Sequence, residues 1–583
     1  MSTKETKEKK PKKIKEPKSP QQKENFKRRI LGLLIGLIGV FLLLFVIFYT
    51  VSRVFRPIDF ATMLPKDSTI GLVQINVNPR HEQIKRFYSI LNKFEVYHPT
   101  SIQNILNEKF EINFEEDVEP WLNRQVGAAL LEKPKADGEF DVVFFVETRD
   151  KGETKKFLES RGLQSKEDYL IADNYKGADI YRYALSQTFN FVFLNNYLIV
   201  ADNDEVLKTI IDTDKTSELK LIEKPQYQKV SQNLPITTLV FTYVDIEKLI
   251  KFLKYNDQFM SEKGRELLAF EPFLRIYKAY GTTALMESNN IAVQSFTMLD
   301  DNYLEGRDFL NFDSKFRAHF LDLVPQDVKL YAGGLNLQKQ FHRYSEIFNV
   351  GGEVSYLIFE GALRSIKNEY FGEEINLEED LYPLMQSEYL IAVNGEGDDQ
   401  ATTIVLGLKD PLRDKDKIEV IAESFIRKSA LLSPKVVEVE LEDGTISKEI
   451  QTVPEEITKS QEEYKGYIID VLNVGTQLWG VYYLILDDKL IITTKLDSMK
   501  QTIDLFINKN ESFNAGPVSR ESIQPVIRTS DEVMFFDLDH VLQNYKVEGF
   551  EWMDPYIEPF KYLSIGKNYF KDGISTITNI TIQ

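Results

Sequence analysis

The feature that most constrains the fold of this chain is an internal repetition that extends through most of its 583 residues. Residues 111–120 have the sequence EINFEEDVEP and residues 374–383 have EINLEEDLYP, so seven of ten positions are identical. Three further matches occur in the same order: residues 64–78 with 324–338, Tyr175-Lys176-Gly177 with Tyr464-Lys465-Gly466, and Glu271-Pro272-Phe273 with Glu558-Pro559-Phe560. Because the separations drift only from 260 to 289 residues, the pattern predicts a duplicated module with small insertions.

We predict a first module at residues 58–299 and a second at residues 313–583. Roughly 250 residues are enough for each module to bury a core of its own. Strand-like runs such as residues 70–77 alternate with helical patterns such as residues 82–94. This mixture predicts an α+β fold of two tandem duplicated modules, with mainly antiparallel sheets and packed helices, after one N-terminal transmembrane helix.

The clearest local signal in each module is a β-hairpin. Residues 189–194 and 197–201 flank Asn195-Asn196, and Asp487-Asp488 occupies the same place in the second copy. Asn and Asp tolerate the positive φ of a two-residue type I′ turn better than other non-glycine residues. We therefore expect the two dipeptides to form equivalent turns, each followed by a helix.

Several polar residues are placed where helices should begin. Asn113 with Glu116 fits a capping box, and Asn376 with Glu379 repeats it in the second copy. Asp150 and Asp410 precede further helical patterns. The acidic triplets Glu115-Glu116-Asp117 and Glu378-Glu379-Asp380 allow a Ca²⁺ site, but consecutive side chains on a helical turn diverge. We interpret the triplets as first-turn acids that favour the helix dipole.

The largest difference between the copies is an insertion of roughly thirty residues before Tyr464. Within it, Val437 and Val439 alternate with glutamates, and Asp443-Gly444 is a type I′ turn signal, which predicts a hairpin at about residues 436–452. Two interpretations stay open for this hairpin. It is either a solvated acidic ornament or a binding arm added to a duplicated scaffold.

A single apolar run predicts how the chain is anchored. Residues 30–49 contain no charge, which is enough to cross about 30 Å of hydrocarbon as a helix, and we place the transmembrane helix at residues 30–52. A cleaved signal peptide is disfavoured, because its apolar region is shorter and ends at a small-residue cleavage site. Lys27-Arg28-Arg29 precede the run, so the positive-inside rule puts the N-terminus in the cytoplasm and the rest outside the cell membrane.

Charge is divided unevenly along the chain. Residues 1–29 carry twelve Lys/Arg and four Glu, a net charge of +8, and we predict a disordered cytoplasmic tail there. The tail is either attracted to anionic lipid or serves only as a topology signal. The remaining residues carry −27, which disfavours nucleic acid as a partner. The absence of cysteine excludes disulfides and thiolate chemistry.

The chain resembles a known family in three segments. These are LPKDS at residues 64–68, DVEPWLNRQVGAALL at 117–131 and YKGADIY at 175–181. They are similar to a bacterial family of N-terminally membrane-anchored proteins with large extracytoplasmic ectodomains of unknown function. The second copy departs from the pattern, with Leu384 in place of Trp121 and a bulkier residue at the position of Gly127. The resemblance implies the topology and nothing about chemistry.

No catalytic or metal-binding motif stands out. The five histidines are His81, His98, His319, His342 and His540. Aligning the copies places His540 opposite Ile246 and His81 opposite Phe341 or His342, so the histidines are not repeated as a site in both modules. No HExxH, GxSxG or P-loop pattern occurs. We therefore predict no catalytic residue, no metal site and no cofactor.

Other candidates have simpler explanations. Asp202, Asp204 and Glu205 form a loose acidic cluster that we interpret as a turn and a helix cap. Trp121, Trp479 and Trp552 suit a carbohydrate or lipid groove, but aromatics at strand spacing are usually core. Tyr175-Lys176-Gly177 is either a binding loop or, as we prefer, a turn before a strand.

These features predict a single-pass cell-envelope protein whose ectodomain binds or scaffolds other molecules and is not an enzyme. Its expected contacts are the bilayer, through residues 30–52, and an envelope protein or polymer. Two alternatives stay open. The first is an envelope-polymer hydrolase that uses a carboxylate pair, and the second is a carrier of an apolar ligand such as a lipid.

Overall fold

The computed structural model describes residues 58–94, 107–108, 112–133, 139–160, 169–183, 190–235, 238–255, 271–300, 302, 316–350, 352–429, 432–440, 446–454, 457–474, 480–544 and 557–582. The predicted tail at residues 1–29 and the predicted transmembrane helix at residues 30–52 lie outside these ranges. Within them, no helix is both long enough and apolar enough to cross a membrane.

The strands of the described residues pair antiparallel throughout, which confirms the predicted sheet type. In the first half they are β1 (Thr69–Asn76), β2 (Leu122–Glu132), β3 (Phe140–Thr148), β4 (Tyr169–Tyr175), β5 (Ala178–Tyr183), β6 (Asn190–Leu194), β7 (Tyr197–Ala201), β8 (Val240–Asp245), β9 (Tyr277–Met286) and β10 (Asn290–Leu299). In the second half they are β11 (Val328–Leu335), β12 (Glu388–Asn394), β13 (Ala401–Gly407), β14 (Leu432–Glu440), β15 (Ile446–Pro454), β16 (Ile457–Tyr464), β17 (Tyr467–Val474), β18 (Gly480–Leu486), β19 (Lys489–Thr493), β20 (Glu532–Asp537), β21 (Phe560–Phe570) and β22 (Gly573–Ile582).

Helices follow many of these strands and pack on the sheet. In the first half they are α1 (Ile58–Ala61), α2 (Glu82–Leu91), α3 (Lys151–Ser160), α4 (Asp204–Lys215), α5 (Pro225–Asn233), α6 (Ile246–Tyr255) and α7 (Glu271–Leu274). In the second half they are α8 (Leu337–Val350), α9 (Glu353–Phe371), α10 (Pro411–Ser429), α11 (Leu496–Ile507), α12 (Pro517–Ser522), α13 (Gln524–Ile527) and α14 (Leu538–Asn544). Short π turns lie at Phe114–Val118 and Leu377–Leu381.

Twenty strands form one sheet. Its pairings run β4-β5-β6-β7-β3-β2-β1-β8-β9-β10 through the first half. They continue β22-β21-β20-β11-β12-β13-β19-β18-β17-β16 through the second half. The halves meet where β10 pairs with β22, with Gln294 opposite Ile577. Read outward from the β10–β22 pairing, the two halves therefore have corresponding strands in the same order.

The predicted hairpin turns are confirmed in both halves. Leu194 pairs with Tyr197 across Asn195-Asn196, and Leu486 pairs with Lys489 across Asp487-Asp488. Asn195 and Asp487 have positive φ of 50° and 53°, whereas Asn196 and Asp488 do not have positive φ, so the two-residue turns are present but lack the second positive φ of a type I′ turn. The helices predicted after these hairpins are α4 and α11.

The Tyr-Lys-Gly repeats are also tight turns that are tied to a neighbouring helix. The Tyr175 hydroxyl donates to Asp212 at 3.0 Å, and the Tyr464 hydroxyl donates to Asp504 at 3.1 Å. Lys176 and Lys465 form ion pairs with the same two aspartates at 2.5 and 2.6 Å. These contacts support the interpretation as turns rather than binding loops.

The predicted helix caps are partly correct. Asp150 accepts the Gly152 N–H at 2.7 Å and Asp410 accepts the Arg413 N–H at 3.2 Å, which confirms both as caps. The capping boxes are wrong in one residue. The N–H groups of the cap residues Asn113 and Asn376 donate to Asp117 at 2.9 Å and to Asp380 at 2.8 Å, not to Glu116 and Glu379. The following turn is a π turn, so the returning acid lies one residue further along.

The inserted hairpin exists as β14 and β15, a two-stranded sheet separate from the main one. Its predicted two-residue turn is wrong. A turn of Asp443-Gly444 would place Val437 opposite Ile450, whereas the strands pair Val437 with Glu449 and Glu440 with Ile446. Residues 441–445 connect the strands and lie outside the described ranges. The register shifts by one because an odd number of residues joins the strands.

Candidate functional site

The structure places the predicted candidates at separate positions. His81 caps α2 by accepting the Gln83 N–H at 3.2 Å, and burial lowers the pKa of its ring. His342 lies beside the ring of Tyr382, with centroids 5.3 Å apart. His98, Trp479 and Trp552 lie outside the described residues. In the part of the chain that is described, no group of three His, Asp or Glu side chains is arranged to hold a metal ion.

The predicted alignment of the histidines between the halves is wrong. Asp245 accepts the Lys248 N–H at 3.0 Å, and Asp537 accepts the His540 N–H at 3.3 Å, each just after β8 or β20. His540 therefore takes the place of Lys248, not of Ile246. The residue at the start of α8 that corresponds to the His81 cap is Asn336, which accepts the Lys339 N–H at 2.9 Å. Neither Phe341 nor His342 is therefore the counterpart of His81.

The predicted turn and cap around Asp202 lies beside the buried carboxyl group of Asp141, which the sequence analysis did not single out. Asn203 caps α4 by accepting the Val206 N–H at 3.0 Å, and its amide donates to Asp141 at 2.7 Å. Asp141 is 3 % exposed, and burial together with the neighbouring Asp202 raises its pKa to about 6. Lys133 lies 3.6 Å away. The carboxyl group of Asp141 is thus enclosed by fixed partners rather than presented to a substrate.

Trp121 is a core residue, as the preferred interpretation predicted. Its side chain is buried, its ring N–H donates to the Asp117 carbonyl at 2.7 Å, and it lies against the ring of Phe157. It therefore does not line a groove.

A cavity of about 390 Å³ in the second half is the strongest candidate for a functional site. It lies where the short turn His319–Leu323 meets the start of β12, the ends of β13 and α11, and the β18–β19 turn. The residues that line it are His319, Phe320, Asp322, Leu323, Ser387, Glu388, Gly407, Leu408, Asp488, Lys489, Phe506 and Lys509. Its volume is within the range of small-molecule sites.

Glu388 organises the wall of this cavity. Its side chain is only 11 % exposed, and one of its oxygens accepts the Phe320 N–H at 2.9 Å. The other oxygen lies 3.1 Å from Nδ1 of His319, a side chain that is 67 % exposed. An ionised carboxylate only accepts, so Nδ1 of His319 is the donor in this contact. The contact holds the imidazole at the cavity and leaves its Nε2 for another partner.

The remaining ionisable side chains form pairs around the cavity. Lys509 contacts Asp322 at 2.9 Å, and Asp322 also accepts the Asn514 amide at 2.7 Å. Lys489 donates to Asp488, and that hydrogen bond lowers the pKa of the Asp488 carboxyl. Both signs of charge therefore line the cavity.

A comparison with known families identifies the family of this chain. The family model described as "Protein of unknown function (DUF3352)" matches residues 30–424, more than half of the chain. The chain belongs to the DUF3352 family. This agrees with the expected resemblance to a family without an assigned function. No curated protein matches the chain.

Solved structures are similar to parts of this DUF3352 member. Crystal form III of TP0453 is 12% identical, with 42% of this chain and 80% of that chain covered and a TM-score of 0.21. Crystal form IV is 10% identical, with 41% and 79% covered and a TM-score of 0.23. Crystal form I is 11% identical, with 42% and 79% covered and a TM-score of 0.21. TM-scores this low support no conclusion about the fold.

Strand register gives the cavity residues counterparts in the first half. Glu388 pairs with Leu335 at the end of β11, and Gln125 pairs with Asn76 at the end of β1. Gly407 pairs with Lys489, and Glu147 pairs with Tyr197. The counterparts are thus Gln125 for Glu388, Arg124 for Ser387, Glu147 for Gly407 and Tyr197 for Lys489.

In the first half, these counterparts contact one another in pairs. Arg124 forms an ion pair with Glu147 at 2.8 Å, and the Glu147 side chain is 2 % exposed. The Tyr197 hydroxyl donates to Gln125 at 3.1 Å. Phe60 stacks on Phe145 with ring centroids 3.6 Å apart. Ser387 and Gly407, which line the cavity, lack the two large side chains that form this ion pair in the first half.

The sequence contained a signal for this site. At matched positions of the repeat, the first copy has Glu147 and Arg124 where the second has Gly407 and Ser387. The first copy also has the neutral residues Tyr197 and Gln125 where the second has Lys489 and Glu388. Motif searches and the comparison of histidines alone missed these changes. A position-by-position comparison of the copies would have found them, given the strand register.

Proposed function

We propose that this chain is a single-pass, membrane-anchored extracytoplasmic binding protein of the cell envelope, whose second module binds a small polar ligand. The anchor rests on the uncharged residues 30–49 and the basic residues that precede them. The proposed location follows from that orientation.

We further infer that residues 58–299 and 313–583 arose by duplication of one module. The matched order of strand pairing supports this, as do the coincident turns at Asn195-Asn196 and Asp487-Asp488. Duplication leaves one copy free to change while the other keeps the framework. The open cavity of the second module fits such a change.

The observation that carries the binding proposal is that the Arg124–Glu147 ion pair of the first module is replaced by Ser387 and Gly407 at the cavity of the second. Removal of buried side chains costs stability in proportion to the space left. A framework that is stable when filled by Arg124 and Glu147 does not need the cavity for folding. A ligand that occupies the space and meets Glu388 and His319 gives the cavity a use.

The chemistry of the lining favours a polar ligand over an apolar one. Glu388, His319, Lys489 and Lys509 place hydrogen-bonding groups of both kinds around the cavity. Binding is also favoured over hydrolysis. A glycoside hydrolase needs two carboxyl groups that face the substrate, whereas Asp322 is held by Lys509 and each other lining acid is held by its own donors.

Protease treatment of spheroplasts tests the anchoring. Added protease should digest residues beyond about 55 and spare the basic tail, because the positive-inside rule keeps the tail in the cytoplasm. A protected ectodomain would overturn the orientation.

Thermal denaturation with a panel of probes tests the ligand site. The probes are single amino acids, N-acetylglucosamine and inorganic phosphate at millimolar concentration. We expect at least one probe to raise the melting temperature of the wild-type chain. Glu388→Gln/Lys489→Tyr, which installs the first-module residues, should abolish that shift.

The matched control is Glu462→Gln/Lys500→Tyr, the same exchange at an ion pair of 2.5 Å that does not line the cavity. This control should keep the shift of the wild-type chain. Equal shifts in the cavity variant, or no shift with any probe, would contradict the proposal.

A further inference from the structure

The sheet face beneath α12 carries a buried group of polar side chains where the two halves meet. Asn290 of β10 lies directly opposite Thr581 of β22, and Asn579 of β22 lies opposite Ser564 of β21. Residues two apart on a strand share a face, and so do residues directly opposite each other, so all four side chains lie on one side of the sheet. Each of the four residues is at most 8 % exposed. They therefore form a polar patch in the interior, where Asn, Ser and Thr are uncommon.

The end of α12 fixes how the two amide groups are turned. Nδ2 of Asn579 donates to the Glu521 carbonyl at 3.0 Å and to the Ser522 carbonyl at 2.7 Å. Nδ2 of Asn290 donates to the same Glu521 carbonyl at 2.9 Å, so the two nitrogens lie no more than about 6 Å apart. Only an amide nitrogen can donate to a carbonyl, which identifies the other atom of each amide as oxygen.

Five buried oxygens of this group have no hydrogen-bond partner among the described residues. They are Oδ1 of Asn290 and Asn579, Oγ of Ser519 and Ser564, and Oγ1 of Thr581. Ser519 is fully buried on α12, which packs on β21 and β22. Buried polar atoms are nearly always bound by a partner, and the side-chain nitrogens of this group already donate to α12. What remains is a set of oxygens alone.

The framework of the fold does not require these polar residues. Strand register puts Gly281 of the first half at the place of Ser564, and Phe296 at the place of Asn579. Phe296 is fully buried and belongs to the main apolar core of its half. The same positions are thus apolar in one half and polar in the other, so folding of the module does not account for the polar group.

We propose that these five oxygens, which we call the joint site, bind an alkali-metal cation, Na⁺ or K⁺, between the sheet and α12. Hard cations take oxygen ligands, and amide, hydroxyl and carbonyl oxygens can replace the hydration shell of an alkali ion. The last carbonyls of α12 lie at the negative end of the helix, which also favours a cation.

The lack of charge in the joint site selects the class of ion. Sites for Ca²⁺ use carboxylates to offset the double charge, and none of the five oxygens belongs to a carboxylate. Water is the competing occupant. A buried water needs both donors and acceptors around it, whereas the amide N–H groups that could donate to it are already engaged by α12. Oxygens without N–H donors match a singly charged cation better.

A cation in the joint site would tie the two halves together. Asn290 comes from the last strand of the first half, and the other four residues come from the second half. An ion that binds only the folded chain stabilises it by mass action. We therefore expect the stability of the whole chain to depend on which monovalent cation is present, independently of the ligand cavity and of the membrane anchor.

Thermal denaturation of the full-length chain in matched salts tests the joint site. The probes are NaCl, KCl and choline chloride at equal ionic strength, so that general screening is the same in each. Choline is too large to be enclosed by these oxygens. We expect the melting temperature in NaCl or KCl to exceed that in choline chloride by about 3 °C or more. Equal melting temperatures in all three salts would overturn the proposal and would assign the oxygens to water.

Two pairs of serine substitutions separate the joint site from the packing of α12. Ser519→Ala/Ser564→Ala removes two of the five oxygens and should abolish the difference between the salts. A small residue fits at position 564, because its first-half counterpart is glycine. The matched control is Ser522→Ala/Ser530→Ala, at two buried serines whose hydroxyls already donate to backbone carbonyls at 2.6 and 2.7 Å. The control should keep the difference between the salts. A difference retained in the first variant, or lost from the control, would overturn the proposal.

Two further measurements keep the test decisive if the double variant folds poorly. Thr581→Val preserves the shape of the side chain, removes a third oxygen and should reduce the difference between the salts. Wild-type crystals grown with RbCl should give an anomalous scattering peak in contact with Oδ1 of Asn290 and of Asn579. No peak at that position, or a difference between the salts that Thr581→Val leaves unchanged, would contradict the joint site.

Discussion

The buried ion pair between Arg343 of α8 and Glu532 of β20 gives the sharpest stability prediction. The two side chains are 2 % and 6 % exposed and lie 3.0 Å apart. The guanidinium also lies over the ring of Tyr569, 3.5 Å from its centroid, and burial raises the pKa of that tyrosine. In the first half, strand register puts Val240 at the place of Glu532 and Met286 at the place of Tyr569. The same framework position is thus apolar in one half and charged in the other.

Removal of one partner should be far more costly than removal of both. Glu532→Gln removes the carboxylate that pairs with the buried Arg343 guanidinium, and we expect a loss of about 3–5 kcal/mol in the free energy of unfolding. Arg343→Met/Glu532→Val replaces the pair by apolar groups and should lose about 1–2 kcal/mol or less, because well-packed apolar replacements of buried pairs are often neutral. Urea denaturation followed by fluorescence measures both.

The control for this experiment is Glu462→Gln, which breaks a partly exposed pair with Lys500 and should cost less than about 1 kcal/mol. A Glu532→Gln variant as stable as this control would refute the reasoning. Arg343→Met/Glu532→Val as unstable as the sum of Arg343→Met alone and Glu532→Val alone would refute it too, because the coupling would then be absent.

Three further predictions concern other parts of the fold. Gly127→Ala should lower the free energy of unfolding, measured by urea denaturation, by about 2–3 kcal/mol, because a Cβ there would lie 2.2 Å from a backbone oxygen of the neighbouring strand. Gly361→Ala should instead raise it by up to about 1 kcal/mol, because a Cβ there meets no atom within 4 Å and alanine favours a helix interior. The pKa of Asp141 is about 6 in the folded chain, above its ordinary 3.8, so the folded state binds the proton more tightly and stability should fall as the pH rises from about 4 to 6. Asp202→Asn removes part of the cause and should flatten that pH dependence. Deletion of residues 436–452, with a short glycine linker joining the ends, should leave the thermal transition nearly unchanged. Pull-downs from envelope extracts should lose a partner only if the hairpin is a binding arm. Unfolding of the second half would show instead that the hairpin belongs to the core.

The features that could be predicted from the sequence are those set by neighbouring residues. The turns at Asn195-Asn196 and Asp487-Asp488 depend on the backbone preferences of two residues between two strands. The caps at Asp150 and Asp410 depend on one side chain and the next turn of helix. Such local signals are complete within a short segment, so the strand and helix boundaries agree with the structure to within a few residues.

Features that depend on distant contacts could not be predicted. The pairing of Gln294 with Ile577 joins strands that are far apart in the chain, and neither strand indicates its partner. The register of β14 and β15 depends on the whole connection, not on the Asp443-Gly444 signal. The cavity depends on what is missing at Ser387 and Gly407, and such a gap is visible only after the counterparts Arg124 and Glu147 are known.

The most direct test of the account is to ask whether the cavity holds a molecule in the native protein. The full-length chain, purified from its own membrane, is analysed by native mass spectrometry beside Glu388→Gln/Lys489→Tyr. We predict one small polar molecule per wild-type chain, bound through Glu388 and His319, and its loss from the variant. The same bound molecules in both proteins, or none in either, would contradict the claim that the second module is a ligand-binding module.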